Sequence, residues 1–547
     1  MSNPRTLAWA LVGLLCWLVG YPLVLTLFEA FGGVADPTVA NFAEFLGRSD
    51  EWRALWRSAW LSVLSVVLAA VVGVPLGFVF ERTEFPGRRL LGVLVALPVA
   101  LPPLVGVIAF LFLYGESGFL ARGLQALGFE VRWTFSGPVP ILLVHTYSFY
   151  VYFYLMTRAG LARLDAAKVD AARSLGASEW RILRRVTLPL LRPSLAGASV
   201  LTFMTALASF SAPYIFGGGF RVMPTQIVSS KLNGETAMAQ VETVMLGLLA
   251  LGGLALLRRL DTDADLAAGE RGLPPARARL HSPLARGLAA AAGWTLTVIL
   301  LLPHLTLLLL SLVPPNTWTT EALPPVLSLT NYGALLSEPE RLRPMVNSLW
   351  MATVATALAI GLAVLAARSS LRVRGRLGAA LGGLLLLPWA IPGTVFAIAL
   401  ATCFSVQQPW ALRFVLVGTS WILPLAYLVR SLPVTGSAIT AGLRQMDGTL
   451  EEASASLGAS GRRTFWRVVL PLLRPALLAG GGLALVTALG DFVVSINLYT
   501  FETRPIAIEI LSSLRLQETG VAAAYGVFLM ILSAVVFLLW SDRLQRS

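Results

Sequence analysis

Predominantly apolar runs of about 18 residues or more recur from one end of this 547-residue chain to the other. No other feature restricts its fold as severely. Such a run spans a hydrocarbon core about 30 Å thick when wound at about 1.5 Å per residue. In lipid every backbone N–H and C=O must find its partner within the protein, so each run is expected to be a helix. The pattern predicts spans at residues 6–28, 58–80, 90–114, 138–157, 194–215 and 240–257. A second set follows at 288–312, 346–367, 377–402, 413–430, 476–496 and 521–540. The expected class is therefore an all-α polytopic membrane protein with about 12 transmembrane helices. Charged residues make up 13% of the chain, against about 25% in soluble domains. The first run is longer than a signal-peptide core and lacks a small-x-small cleavage site, so it is expected to remain as a span.

The net charge is +13, and lysine supplies only Lys168 and Lys231 of it. Arginines cluster in alternate loops, at 81–89, 158–193, 368–376 and 431–475. Such alternation follows the positive-inside rule, which places these loops and both termini in the cytoplasm and removes the need for nucleic acid as a partner. Cys16 and Cys403 each lie in an apolar run, with no metal-ligand or disulfide spacing, and are expected to be small apolar fillers. Residues 258–286 are polar and contain Gly and Pro, as a cytoplasmic linker would. The chain then divides into halves at 1–257 and 287–547, with six spans in each.

The halves repeat one another. Asp170-Ala-Ala-Arg-Ser-Leu-Gly176 returns as Glu452-Ala-Ser-Ala-Ser-Leu-Gly458, and Leu188-Pro189-Leu-Leu-Arg-Pro193 returns unchanged as Leu470-Pro471-Leu-Leu-Arg-Pro475. Acid to glycine is six residues and glycine to proline thirteen in both copies, at an offset of 282. Ser58-Ala-Trp60 matches Ser348-Leu-Trp350, and Pro98 to Pro102 matches Pro388 to Pro392, at an offset of 290. Agreement of several segments in order marks a parallel repeat.

Each repeated loop, at about 158–193 and 431–475, has the pattern of two short helices around a turn. In the first, Leu161, Leu164, Ala167, Ala171, Ala172 and Leu175 recur near helical spacing. Gly176 can end that helix in the left-handed region, and Ser178 can cap the next, with Glu179 in its first turn. Pro189 and Pro193 suit the re-entry into the membrane. Arginines binding lipid phosphate would account for one such loop. They account less well for a glycine, a capping serine and prolines held at the same spacing twice.

The duplicated loop resembles the "EAA" loop of permease subunits of bacterial ABC importers, with Asp170 for the usual Glu in the first copy and Ser454 for the second Ala in the other. The resemblance covers most of both halves and implies the MetI-like type I importer permease fold. It further implies loops that seat on two cytoplasmic ABC ATPase subunits through Asp170, Ala171, Ala172, Gly176 and Pro189, and through Glu452, Ala453, Ser454, Gly458 and Pro471. A periplasmic or extracellular substrate-binding protein would deliver the cargo, and the chain would sit among lipids in the bacterial cytoplasmic membrane. Neither lysine is followed by Ser or Thr, so the chain has no P-loop. No cofactor is then expected, ATP being bound by the partners.

No catalytic constellation is present among His145, His281 and His304, so a membrane enzyme has no support, and no metal site is expected. An intramembrane acid is a functional candidate, which singles out Asp491; its repeat counterpart is Ser209. With Ser211 and His145 these form the expected translocation path. Ser211-Ala-Pro-Tyr-Ile-Phe-Gly-Gly-Gly and Arg504-Pro-Ile-Ala-Ile-Glu-Ile-Leu look most like ferric iron permeases. Thiamine, sulfate, molybdate, polyamine and aminophosphonate permeases are relatives. A twelve-span secondary transporter, also built of two parallel halves, is the competing class.

Overall fold

The computed structural model describes residues 4–33, 36–130, 133–259, 277–279, 282–318, 321–373 and 375–544. Apart from one two-residue parallel pairing, Thr83–Glu84 with Ala278–Arg279, its regular elements are helices. Among the described residues ten helices are long and apolar enough to cross a membrane, or twelve if each of two bent pairs is one span. The linker expected at 258–286 falls largely on residues 260–276 and 280–281, which lie outside the described residues, as does His281. At its edges, Arg277 reaches Glu81 at 2.9 Å, and a helix already starts at Pro283 and runs to Ser311.

The longest helices, Ser49–Arg82 and Pro339–Arg372, have 34 residues each and occupy matching places in the repeat. At about 1.5 Å per residue they overshoot the hydrocarbon core. Ser49–Arg82 packs closely on Pro138–Ala162. A Cβ at Gly73 would stand 2.3 Å from the Tyr150 carbonyl oxygen, and one at Gly77 2.7 Å from Thr157 Cβ. Small residues at such a seam let two membrane helices approach through dispersion contacts alone. Ala363 and Ala367 stand at the matching places of the second half, both fully buried.

Several expected spans are reshaped. The runs at 90–114 and 377–402 are broken where the prolines recur. Each contains a short 3₁₀ turn, Leu97–Ala100 or Leu387–Ala390, before the helix restarts at Pro103 or Gly393. In the second half the two pieces meet at 107°. Leu101 and Ile391 are extended, because a residue preceding proline is driven out of the helical region. The span expected at 194–215 is a helix from Glu179 to Leu207, containing Pro193 and a π segment at Leu183–Thr187, and Ser211–Phe216 is a separate helix. The matching span bends by 66° between Gly461–Leu472 and Arg474–Leu489.

The span expected at 413–430 starts only at Ile422 and continues to Gln445, so the second repeated loop is shorter than 431–475. Leu412 and Arg413 take positive φ values of 55° and 58°, which no helix can contain. Downstream, full burial of Leu432 and Thr435 holds the helix together through Pro433.

At the end of the bundle opposite the repeated loops, the matched serines do the same work. Ser58 Oγ accepts from the Met223 N–H and Ser348 Oγ from the Ile506 N–H, each at 2.8 Å. Each bond satisfies an otherwise orphaned donor at a helix start, Met223–Leu232 or Ile506–Arg515.

Candidate functional site

Both repeated loops are built by the same local chemistry. Asp165 Oδ1 accepts from the Ala167 N–H at 3.0 Å and starts the helix Ala166–Ser174; Asp447 Oδ1 accepts from the Thr449 N–H at 3.0 Å before Thr449–Ser456. These hydrogen bonds hold the Asp447 carboxyl below its usual range. The helices end alike. Gly176 and Gly458 both have φ +76°, and bonds from Ala177 N–H to the Ala172 carbonyl and from Ala459 N–H to the Ser454 carbonyl close the turn. Such a bond, spanning six residues, uses the last free carbonyls of the helix and requires a left-handed residue. Ser178 and Ser460 then accept from the Arg181 and Arg463 N–H groups and cap the next helix.

Asp170, Ala171, Glu452 and Ala453 are exposed, while Ala172 and Ser454 are half-buried on the inner face of their helices. Pro189 and Pro471 each sit at the second residue after a π segment. Leu175, expected from its spacing to share the helix's apolar face, instead stands out at the tip, as does Leu457 in the second loop. Leu175 is 87% exposed and Leu457 88%. An apolar side chain offered to water at the same place twice is a feature of surfaces that meet a partner. The signal was legible, since an identical Leu-Gly-Ala-Ser stands in both copies.

The loops are anchored differently. Leu164, Val169 and Ile182 form a small buried cluster under the first, and Arg173 pairs with Glu179 at 2.8 Å and Asp170 at 3.4 Å. Those carboxylates hold the Arg173 guanidinium above its usual pKa. Under the second, Glu451 replaces the apolar Val169 and pairs with Arg368 at 3.0 Å and Arg372 at 2.5 Å on the long helix Pro339–Arg372. Ser454 Oγ bonds Thr464 Oγ1 at 2.9 Å.

The other four sequence-selected residues lie away from these loops. His145 is buried and bridges helices: Nδ1 meets Ser65 Oγ at 2.8 Å and Nε2 meets Ser209 Oγ at 2.9 Å. Ser211 is buried at the start of Ser211–Phe216. In the second half Asp491, the counterpart of Ser209, accepts through Oδ1 from the Val494 N–H at 2.8 Å, and its Oδ2 lies 3.2 Å from Arg430 Nε. The carboxylate is thus held by two partners. Arg430 had been placed at a span terminus by the sequence, and the later start of its helix puts it inside. Tyr427, the counterpart of His145, bonds Ser495 Oγ at 2.6 Å.

Between these two networks Phe210 and Phe492, equivalent under the repeat, meet with ring centroids 5.6 Å apart. Both are buried, and Tyr214 packs on each of them. The halves therefore touch through an aromatic cluster, in which Phe210 follows Ser209 of the His145 bridge and Phe492 follows Asp491 of the pair with Arg430. Gly490 is required beside it, because a Cβ there would lie 2.8 Å from Pro102 Cβ.

Comparison with known proteins places this arrangement. A "Probable ABC transporter permease protein y4fN" of Sinorhizobium fredii is 30% identical over 85% of the chain and 83% of its own length. A "Ferric transport system permease protein FbpB" of Actinobacillus pleuropneumoniae is 26% identical over 84% of the chain and 66% of its own length. The "Thiamine transport system permease protein ThiP" of Escherichia coli is 27% identical over 84% and 82%. Residues 73–264 and 359–547 each match one sequence family, so both halves of the repeat are recognised separately. The chain belongs to that family, the binding-protein-dependent transport system inner membrane component, and is a membrane permease subunit rather than an enzyme.

Proposed function

We propose that this chain forms the translocation path of an ABC importer in the bacterial cytoplasmic membrane, and that its two repeated loops dock two cytoplasmic ATPase subunits. The halves would be 1–257 and 287–547, joined by a cytoplasmic linker, with both termini in the cytoplasm. The carrying observation is the duplicated turn, capped by aspartate, closed by a left-handed glycine and tipped by an exposed leucine. A turn fixed at both ends transmits displacement, whereas a loose loop would absorb it. ATP closes the two ATPases, the loops move together, and the aromatic contact of Phe210 with Phe492 opens toward a binding protein. Hydrolysis returns the path inward. In this reading His145, Ser209, Ser211 and Asp491 brace that gate from either side.

The cargo proposed is ferric iron, supported by the ferric relatives and by the sequence around Ser211 and Arg504. Thiamine, an aminophosphonate, a polyamine or an oxyanion carried by the same machinery is the alternative. The docking assignment is tested by Leu175→Asp with Leu457→Asp. Each leucine contributes about 1.5–3 kcal/mol if fully buried on docking. The double variant is expected to insert normally yet lose the ATPase on copurification. Retention of ATPase at the wild-type ratio would contradict the assignment.

A further inference from the structure

A cavity of about 560 Å³ opens between the halves, where the helix Met223–Leu232 faces residues 496–515. Lys231, Arg504 and Arg515 line it, and no aspartate or glutamate is among its lining residues. Lys231 Nζ gives one hydrogen bond to the Asn497 carbonyl at 2.8 Å and, among the described residues, pairs with no carboxylate. Arg504 is offset by Glu509 at 2.8 Å. Arg515 donates to the Tyr214 hydroxyl of the other half. Among the described residues, two positive charges thus remain without a counter-ion in a pocket of the size that holds small molecules. Asn497 also lines the cavity, and its buried Oδ1 has no hydrogen-bond partner.

Neither the repeat nor membrane topology accounts for this charge. At the 282 offset the counterparts of Lys231 and Arg515 are Ser513 and Asn233, both neutral. The cavity lies at the bundle end opposite the arginine-rich loops, where the positive-inside bias disfavours basic residues. We infer that this cavity is an anion-binding vestibule, and that the cargo enters the path as a small solute of net negative charge carrying a hydroxyl or protonated oxygen. The inference rests on the importer reading and narrows its cargo. A ferric ion would arrive within an anionic complex, and a free cation would be repelled at the mouth.

The chain supplies its own control, because Lys168 and Lys231 are its only lysines. The full chain in lipid nanodiscs is treated with acetic anhydride, and acetylation of each lysine is followed by mass spectrometry. The probes are orthophosphate, citrate and thiamine, compared with chloride at matched ionic strength. Orthophosphate or citrate is expected to slow acetylation of Lys231 at least about threefold, as for a ligand at twice its dissociation constant. Lys168 should be unaffected, and Arg515→Gln should remove the protection. Unchanged Lys231 acetylation in both anions, or equal protection by thiamine, would overturn the proposal. So would protection given only by a cargo-free binding protein, which would assign the charge to an acidic side chain of that partner. ATPase copurification, read on the same preparation, separates the two claims. If ATPase binds and Lys231 stays unprotected, the vestibule alone fails. If anions protect Lys231 and no ATPase binds, the importer reading alone fails.

Discussion

Asp491 and Arg430 show how one residue's environment decides its meaning. A lone intramembrane carboxylate invites a role in transport, but this one is occupied by an arginine and a helix start. An unpaired charge at membrane depth costs about 2.5–3.5 kcal/mol on insertion scales. Arg430→Ser should therefore lower the thermal midpoint of the purified chain by several degrees, by stranding Asp491. Adding Asp491→Ser should restore most of the loss, since the first half carries Ser148 and Ser209 at these places. Equal or additive destabilisation in the double variant would show that the pair is not coupled. The acid was legible in the sequence. Its partner was hidden by a misplaced helix start, since Leu412 and Arg413 take positive φ values that their residue types do not signal.

At the scale of the element, the repeated turn was the most legible part of the chain. Spacing alone located the glycine, the capping serine and the prolines, because local hydrogen bonding fixes them. Gly176→Val or Gly458→Val should cost at least about 1–2 kcal/mol of local stability, as expected for a side chain forced into the left-handed region. Hydrogen exchange at residues 166–182 or 449–464 should rise in the corresponding variant and stay unchanged in the other loop. No change in either loop would mean that the turn is not held by its glycine. The proline-broken spans were legible as breaks but not in angle, since the 107° bend depends on what each piece packs against. The seam at Gly73 and Gly77 gives a further check. Gly73→Leu would drive a side chain into the Tyr150 backbone and should sharply reduce the yield of folded chain. Gly361→Leu, at an open helical position, should not.

For the whole molecule, apolar run length gave the class, and the repeat gave the two halves. The contact between halves was not legible. Phe210 and Phe492 are ordinary apolar residues in sequence, and only folding brings them to a shared seam. The cavity lined by Lys231, Arg504 and Arg515 is likewise assembled from segments more than 250 residues apart. Under the proposed function the two docking sites need not be equal, because one loop is seated on apolar residues and the other on Glu451 with two arginines. Glu451→Ala should accordingly loosen only the second loop. The central claim is most directly tested by the mass of the intact complex, measured by native mass spectrometry after purification with the cognate ATPase. The account predicts two ATPase subunits per chain in the wild type and one when Leu457→Asp disables a single loop. A complex with one ATPase in the wild type, or with two in that variant, would contradict it.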